Sequence, residues 1–134
     1  LNAALTGHLV LSTLHTNNAA GAIPRLIEMG IEPFLLAGSI NLIIAQRLVR
    51  KLCPDCKGAK CERCRKLGFR GRVTIAEALK PTHEFNELIA RKATIEEFET
   101  KAKALGMKTM LEDGLEKVAA GLTTKQEVER VTRE

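Results

Sequence analysis

The sequence contains no tryptophan and no tyrosine, and Phe34, Phe69, Phe85 and Phe98 are its only phenyl rings. Platforms on which exposed bases could stack are therefore scarce. No apolar run approaches the roughly 18 residues that a membrane-spanning helix needs, so the chain is expected to be soluble. Cysteine is missing everywhere except between Cys53 and Cys64. That clustering excludes a disulfide framework, which would spread its cysteines to staple distant loops, and it favours a reducing, cytoplasmic compartment. The opening Leu1-Asn2-Ala3-Ala4 has no initiator methionine, no basic n-region and no small-residue cleavage site, and is expected to be cut from something longer.

What is present fits a folded chain. Hydrophobic residues make up 45% of the 134 positions and charged residues 28%, enough for one domain or for a domain with a partner-dependent piece. The formal charge of +5 is uneven: between Arg47 and Arg72 ten basic residues face two acidic ones, a local balance of +8. If four thiolates bind a divalent ion the site itself carries −2, so part of the basic excess compensates a metal centre.

Residues 7–15 are apolar and β-branched with polar ends, the composition of a buried strand. A helix is expected from Pro24 to Gly30, with proline in its first turn and glycine at its end. From Pro33 to Leu52 the apolar positions Phe34, Leu35, Ile40, Ile43, Ile44, Leu48 and Leu52 predict a helix with cations at its carboxy end. Val73 and Ile75 suggest a short strand within 69–79. Beyond Pro81 three capping-box pairs, Thr94 with Glu97, Thr109 with Glu112 and Thr123 with Gln126, predict a run of short helices punctuated by Gly106 and Gly121. Leu88, Ile89, Ile95, Phe98, Leu105, Met110, Leu115, Val118, Val128 and Val131 are their expected packing residues.

Cys53-Pro54-Asp55-Cys56 and Cys61-Glu62-Arg63-Cys64 form C-x2-C-x4-C-x2-C. Each pair can present two sulfurs on one side of a tight turn at zinc-ligand spacing. Nearby cations favour the thiolate, and four thiolates leave no position for a catalytic water. The expectation is a structural Zn2+ held by Cys53, Cys56, Cys61 and Cys64, in a knuckle whose four-residue spacer is shorter than in most zinc ribbons. Free or oxidised thiols and an iron–sulfur cluster are the alternatives.

His8 and His15 flank the apolar stretch, and histidines so placed are commonly structural. Residues 4–17, Ala-Leu-Thr-Gly-His-Leu-Val-Leu-Ser-Thr-Leu-His-Thr-Asn, however resemble the histidine box of the ATPases that drive type II secretion and type IV pilus assembly. The resemblance continues in order through Ile23-Pro24-Arg25-Leu26, Met29-Gly30-Ile31-Glu32-Pro33-Phe34, Ala45-Gln46-Arg47-Leu48-Val49-Arg50, the tetracysteine element, Gly71-Arg72 with Ile75 and Glu77, Gly106-Met107, Glu112-Asp113-Gly114 and Gly121-Leu122-Thr123-Thr124. Thr74 and Ala76 stand where family members usually show glycine and tyrosine.

The resemblance implies an α/β fold, the distal part of a RecA-like P-loop NTPase core over 1–52, a tetracysteine zinc element over 53–72 and a helical C-terminal subdomain over 73–134. It further implies a hexameric ring at the inner membrane, working with secretion or pilus platform proteins, with His8 or His15 near the γ-phosphate. Arg25, Arg47 and Arg50 are candidates for contact with phosphate or a neighbouring subunit, against the plainer reading of a solvated helix end. ATP and Mg2+ belong to the complete enzyme only, because G-x-x-x-x-G-K-[ST] occurs nowhere in these residues. Without its amide cradle, lysine and hydroxyl this chain alone is expected to be inactive. A zinc-ribbon nucleic-acid-binding module is the competing reading, motivated by the basic stretch around the cysteines. If the chain lacks core strands, the apolar faces of residues 5–50 are expected to be exposed.

Overall fold

A computed structural model describes residues 1–133; Glu134, the last position of the expected C-terminal subdomain, lies outside the described residues. The order of elements is α1 (Asn2–Leu5), α2 (Ala22–Glu28), α3 (Pro33–Leu36), β1 (Ile43–Leu52), a 3-10 turn at Glu62–Cys64, β2 (Phe69–Leu79), α4 (Phe85–Ala90), α5 (Ile95–Ala104), α6 (Met110–Ala119) and α7 (Lys125–Thr132). The chain is mixed helix and strand, as expected, with one two-stranded sheet, β1 beside β2, among the described residues. Two compact units share it: the first takes Leu1–Ala45 and Ala78–Met107, the second Gln46–Glu77 and the residues from Lys108 onward.

Two expected elements differ. Residues 8–16 carry no regular structure. Their strand-like composition has no hydrogen-bonded neighbour in the described sheet, and a strand exists only through the groups that pair with it. The expected apolar exposure follows, with Leu9 82% and Leu11 89% exposed. The helix expected over Pro33–Leu52 stops at Leu36, and Ile43–Leu52 is a strand. There burial alternates with period two: Ala45 and Val49 are buried while Ile44, Gln46, Leu48 and Arg50 are exposed. Apolar residues stand on both faces of β1, so their spacing imitates a helical stripe, and β-branched Ile43, Ile44 and Val49 favour the pleated form.

In the first unit, Ala19, Ala20, Ala22 and Ile23 are buried, and so are Leu36, Leu79, Phe85, Ile89, Ala93, Phe98 and Ala102. Phe85 and Phe98 stack with ring centroids 6.1 Å apart. Helix α2 begins two residues before Pro24, which sits in its first turn as expected. Asn18 holds the chain ahead of it: its Oδ1 accepts from the Gly21 amide at 2.8 Å, while its Nδ2 donates to Glu99 on α5 at 2.6 Å. The Thr94 and Glu97 capping box starts α5 as expected.

In the second unit, strand β2 is tied to α6 by reciprocal bonds. The buried Glu77 carboxylate accepts from the Met110 amide at 3.0 Å, and the Ala76 amide donates to Asp113 at 2.8 Å. Burial raises the Asp113 pKa, but Lys117 and that amide outweigh it, leaving the group below the ordinary aspartate value. The Thr109 and Glu112 box starts α6 as expected. The third box shifts by one residue: Thr124, not Thr123, caps α7 and accepts from the Glu127 amide. Thr123 is buried and its hydroxyl donates to the Arg50 carbonyl at 2.8 Å. Where two threonines adjoin, the one facing β1 bonds the strand and its neighbour caps the helix. Of the expected packing residues Ile89, Phe98, Met110 and Val128 are buried, whereas Ile95, Leu105 and Leu115 are exposed.

Helices α6 and α7 meet at Gly114, where an added Cβ would lie 2.5 Å from Val128 Cγ1. Gly114→Ala is therefore expected to destabilise by about 1–3 kcal/mol through overpacking, despite alanine's ~1 kcal/mol better helix propensity. Denaturant unfolding checks this, and adding Val128→Ala should recover part of the loss. An unchanged or raised midpoint for Gly114→Ala would show that this contact is not tight.

Candidate metal centre

Strand β1 ends at Leu52 and delivers Cys53, whose amide donates to Gly68 O at 3.0 Å just before β2 begins. That rung joins the strand ends and closes residues 54–67 into one loop. Within it the first pair sits on a turn in which the Lys57 amide donates to Cys53 O at 2.8 Å. The second pair brackets the 3-10 turn, with the Lys66 amide donating to Cys61 O at 3.0 Å and the Leu67 amide to Cys64 O at 3.1 Å. Two similar turns thus face each other across the loop.

The four sulfurs converge. Sγ separations are 3.9 Å for Cys53 and Cys61, 3.8 Å for Cys56 and Cys64, and 3.8 Å for Cys61 and Cys64. All four lie within 4.8 Å of one another. A tetrahedron with metal–sulfur bonds of about 2.3 Å has sulfur–sulfur edges of about 3.8 Å. A disulfide needs about 2.05 Å, and none of the four cysteines forms one. Cys53 and Cys64 are buried and the other two half-buried. The cluster can hold one tetrahedral metal ion in an all-sulfur shell, with no position left for water.

Hydrogen bonding prepares the sulfurs unevenly. The Cys61 amide, aided by that of Gly58 and by neighbouring thiols, lowers the Cys56 pKa to about 6 against the opposing effect of burial. At Cys61 the Cys64 amide pulls the pKa down, but burial and the hydrogens shared with Cys56, Cys64 and Cys53 raise it to about 11. A bound cation would replace the protons that remain on the four sulfurs, since metal ligation requires thiolates. The Gly68 amide donates to Cys64 Sγ at 3.3 Å.

The short spacer is accommodated by the backbone. Lys57, Lys60, Arg65 and Lys66 all have positive φ, between 45° and 63°. For residues with a Cβ this conformation costs roughly 1–2 kcal/mol each. Gly68, at φ 79°, has a different reason to be glycine: a Cβ there would stand 3.0 Å from Gly58 O and 3.3 Å from Gly58 Cα. Sequence reading did not single it out, although a glycine four residues after the last cysteine was the available signal.

The remaining candidates lie apart from the sulfurs in the contacts they make. His8 is exposed, its Nδ1 3.1 Å from Thr6 Oγ1, and His15 is exposed on the irregular segment. Arg25 is exposed and pairs with Glu28 at 3.2 Å. Arg47 is half-buried on β1. Arg50 bonds Glu127 at 2.7 Å, and its guanidinium carbon lies 4.4 Å from the centre of the Phe69 ring. Glu127, buried and 77 positions along the chain from Arg50, carried no signal in the sequence. Around the knuckle Asp55 pairs with Arg63 at 3.0 Å and Glu62 with Lys66 at 3.1 Å.

The family model described as type II/IV secretion system protein matches residues 1–130. Type II secretion system protein HxcR of Pseudomonas aeruginosa is 43% identical over 142 residues, covering 100% of this chain and 30% of that protein. Type IV pilus assembly ATPase PilB of Myxococcus xanthus is 42% identical over 156 residues, with coverages of 96% and 28%. Type II secretion system ATPase E of Vibrio cholerae is 42% identical over 159 residues, with coverages of 100% and 31%. The chain thus spans less than a third of the length of these curated relatives.

A matched pair of substitutions tests the backbone account of the centre. Gly68→Ala forces an occupied contact at positive φ and is expected to weaken Zn2+ binding roughly tenfold, the equivalent of 1–2 kcal/mol of strain. Lys60→Gly relaxes a left-handed residue and is expected to stabilise by about 0.5 kcal/mol once glycine's added chain entropy is subtracted. Chelator competition and thermal unfolding measure the two. Equal affinity in Gly68→Ala would show that the Gly58 contact does not shape the site.

Proposed function

The chain belongs to the type II/IV secretion system protein family, and we propose that it is the C-terminal portion of a hexameric ATPase that powers type II protein secretion or type IV pilus assembly. The observation that carries this reading is the match along the chain to relatives named as secretion and pilus-assembly ATPases. In this reading residues 1–52 are the distal part of a RecA-like core, 53–72 the zinc element and 73–134 the helical subdomain. The exposed Leu9 and Leu11 support the first assignment, since apolar residues of a core segment are exposed when their packing partners are elsewhere.

Cys53, Cys56, Cys61 and Cys64 would hold one Zn2+, which cross-links the two turns and takes no part in a reaction. Sulfur edges of 3.8–3.9 Å suit a single ion, and the all-thiol shell leaves no position for a catalytic water, which supports a structural ion. His8 and His15 are proposed to face the γ-phosphate side of a nucleotide site completed by the rest of the enzyme, where ATP and Mg2+ bind. Arg25, Arg47 and Arg50 are proposed to contact phosphate or a neighbouring subunit. Arg50 does so only with what its guanidinium leaves free beside Glu127 and Phe69. Among the described residues no helix is long and apolar enough to cross a membrane. A cytoplasmic protein held peripherally at the inner membrane by platform proteins is the assignment that goes with the family reading.

Two measurements test the proposal. The chain alone is expected to bind one Zn2+ in native mass spectrometry and to show no ATP hydrolysis. In the complete enzyme His15→Ala is expected to lower ATP turnover at least about tenfold, within the range that positioned acid–base and polar groups contribute, with ring assembly retained. Unchanged turnover would remove the histidine assignment. Retention of the chain on DNA, lost steeply as salt is added, would instead favour the nucleic-acid-binding reading.

A further inference from the structure

We propose that the metal knuckle is coupled to the C-terminal helix α7 through Arg50, so that Glu127 is a positioning residue for a metal ion it never touches. The inference rests on the metal-binding reading given above. Its basis is a set of contacts that end on residues 50–52, the last turn of chain before Cys53. Both oxygens of Glu127 are engaged there: Oε1 accepts from Arg50 Nη2 at 2.7 Å and Oε2 from the Arg50 amide at 3.1 Å. The Arg50 carbonyl accepts from the buried Thr123 hydroxyl at 2.8 Å, and the Leu52 amide donates to Leu122 O at 2.8 Å. Residues 122–127 therefore hold Arg50 and Leu52, near the end of β1, by backbone and side chain together.

The other arm of the knuckle arrives at the same place. Gly68 bonds Cys64 Sγ through its amide and Cys53 through its carbonyl, and the next residue, Phe69, lies beneath the Arg50 guanidinium. The strand that delivers Cys53 and the strand that leaves Cys64 thus converge on one arginine, whose position is set by α7. Glu127 is suited to that task because its side chain is only 4% exposed and lies between Arg50 and Arg130, whose Nε and Nη2 donate at 3.2 and 3.0 Å. Those bonds, Arg50's first, hold its carboxyl well below the usual glutamate range. An uncharged residue there would leave two guanidinium groups without their shared counter-charge, and glutamine would also turn one of the two acceptor oxygens into a donor.

Coupling of this kind is reciprocal. If α7 positions the cysteines for metal, metal must strengthen the docking of α7 by the same factor. Typical coupling free energies correspond to roughly 5- to 150-fold in affinity. The geometry distinguishes this from general destabilisation, because the affected contacts are named ones on residues 50–52.

The test titrates Zn2+ against a chromophoric chelator for the whole chain and for Glu127→Gln, with circular dichroism confirming the fold. Gly114→Ala, which strains the packing of α6 on α7 without removing a bond to Arg50, is the comparison for stability loss alone. Expected is about a tenfold lower affinity for Glu127→Gln, in the middle of the typical range, and a smaller loss for Gly114→Ala. If Glu127→Gln does not fold, Arg50→Lys replaces it; keeping charge but losing the planar fork over Phe69, it is expected to lose affinity in the same direction. Amide exchange supplies the reciprocal reading: chelation should expose the Leu52, Glu127 and Val128 amides while those of α5 keep their protection. Equal affinities for the original chain and Glu127→Gln, or unaltered exchange at Leu52 on chelation, would overturn the coupling and leave the metal site standing. Failure of the original chain to bind Zn2+ would overturn both.

Discussion

Four sulfur atoms that must share one small volume set the terms for the rest of the second unit. A loop as short as residues 54–67 has little freedom to separate them, so the convergence suits one cation and requires a backbone that tolerates it. The surroundings supply that backbone. Left-handed Lys57, Lys60, Arg65 and Lys66 let two turns fold back on themselves, and Gly68 lets their backbones touch. Amides aimed at Cys56 and Cys64 stabilise negative sulfur. The pairing of β1 with β2 then has a clear role: it brings Cys53 and Gly68 into register, so that the loop opens and closes at one rung. A structural metal in such a loop contributes directly to folding free energy, because no comparable site exists in the unfolded chain.

The first unit is governed by a different constraint. Its buried residues are alanines and Ile23 near α2 and include Phe85 and Phe98 in α4 and α5, and Asn18 ties the end of the histidine segment to Glu99. Ahead of Asn18, Leu5, Leu9, Val10 and Leu11 are left in solvent, and Phe34 is 73% exposed. Packing against the rest of a larger core, as proposed above, would account for exposure on this scale. Membership of a family whose curated members are more than three times as long accords with that reading.

The legible parts of the sequence were those whose signal is local. Cysteine spacing identified the knuckle, because the two C-x-x-C turns need nothing beyond themselves to present sulfur. Capping boxes at Thr94 and Thr109 placed α5 and α6 for the same reason. Illegible were the features decided by distant partners. Residues 7–15 have strand composition, yet a strand requires a neighbour. Ile44 and Leu48 are apolar on the exposed face of β1, which made a strand look helical. Thr123 forfeits its expected capping role to a carbonyl 73 positions away. Glu127 reads in sequence as one more surface glutamate of an amphipathic helix, and only the fold reveals it as the buried acceptor for Arg50.

X-ray absorption at the zinc edge, on the chain loaded with one equivalent of Zn2+, addresses the centre most directly. Four sulfur neighbours at about 2.3 Å, with no lighter atom in the first shell, is the predicted result. A shell with fewer sulfurs completed by nitrogen or oxygen would contradict the account, since it would mean that the turns do not bring all four cysteines to one point.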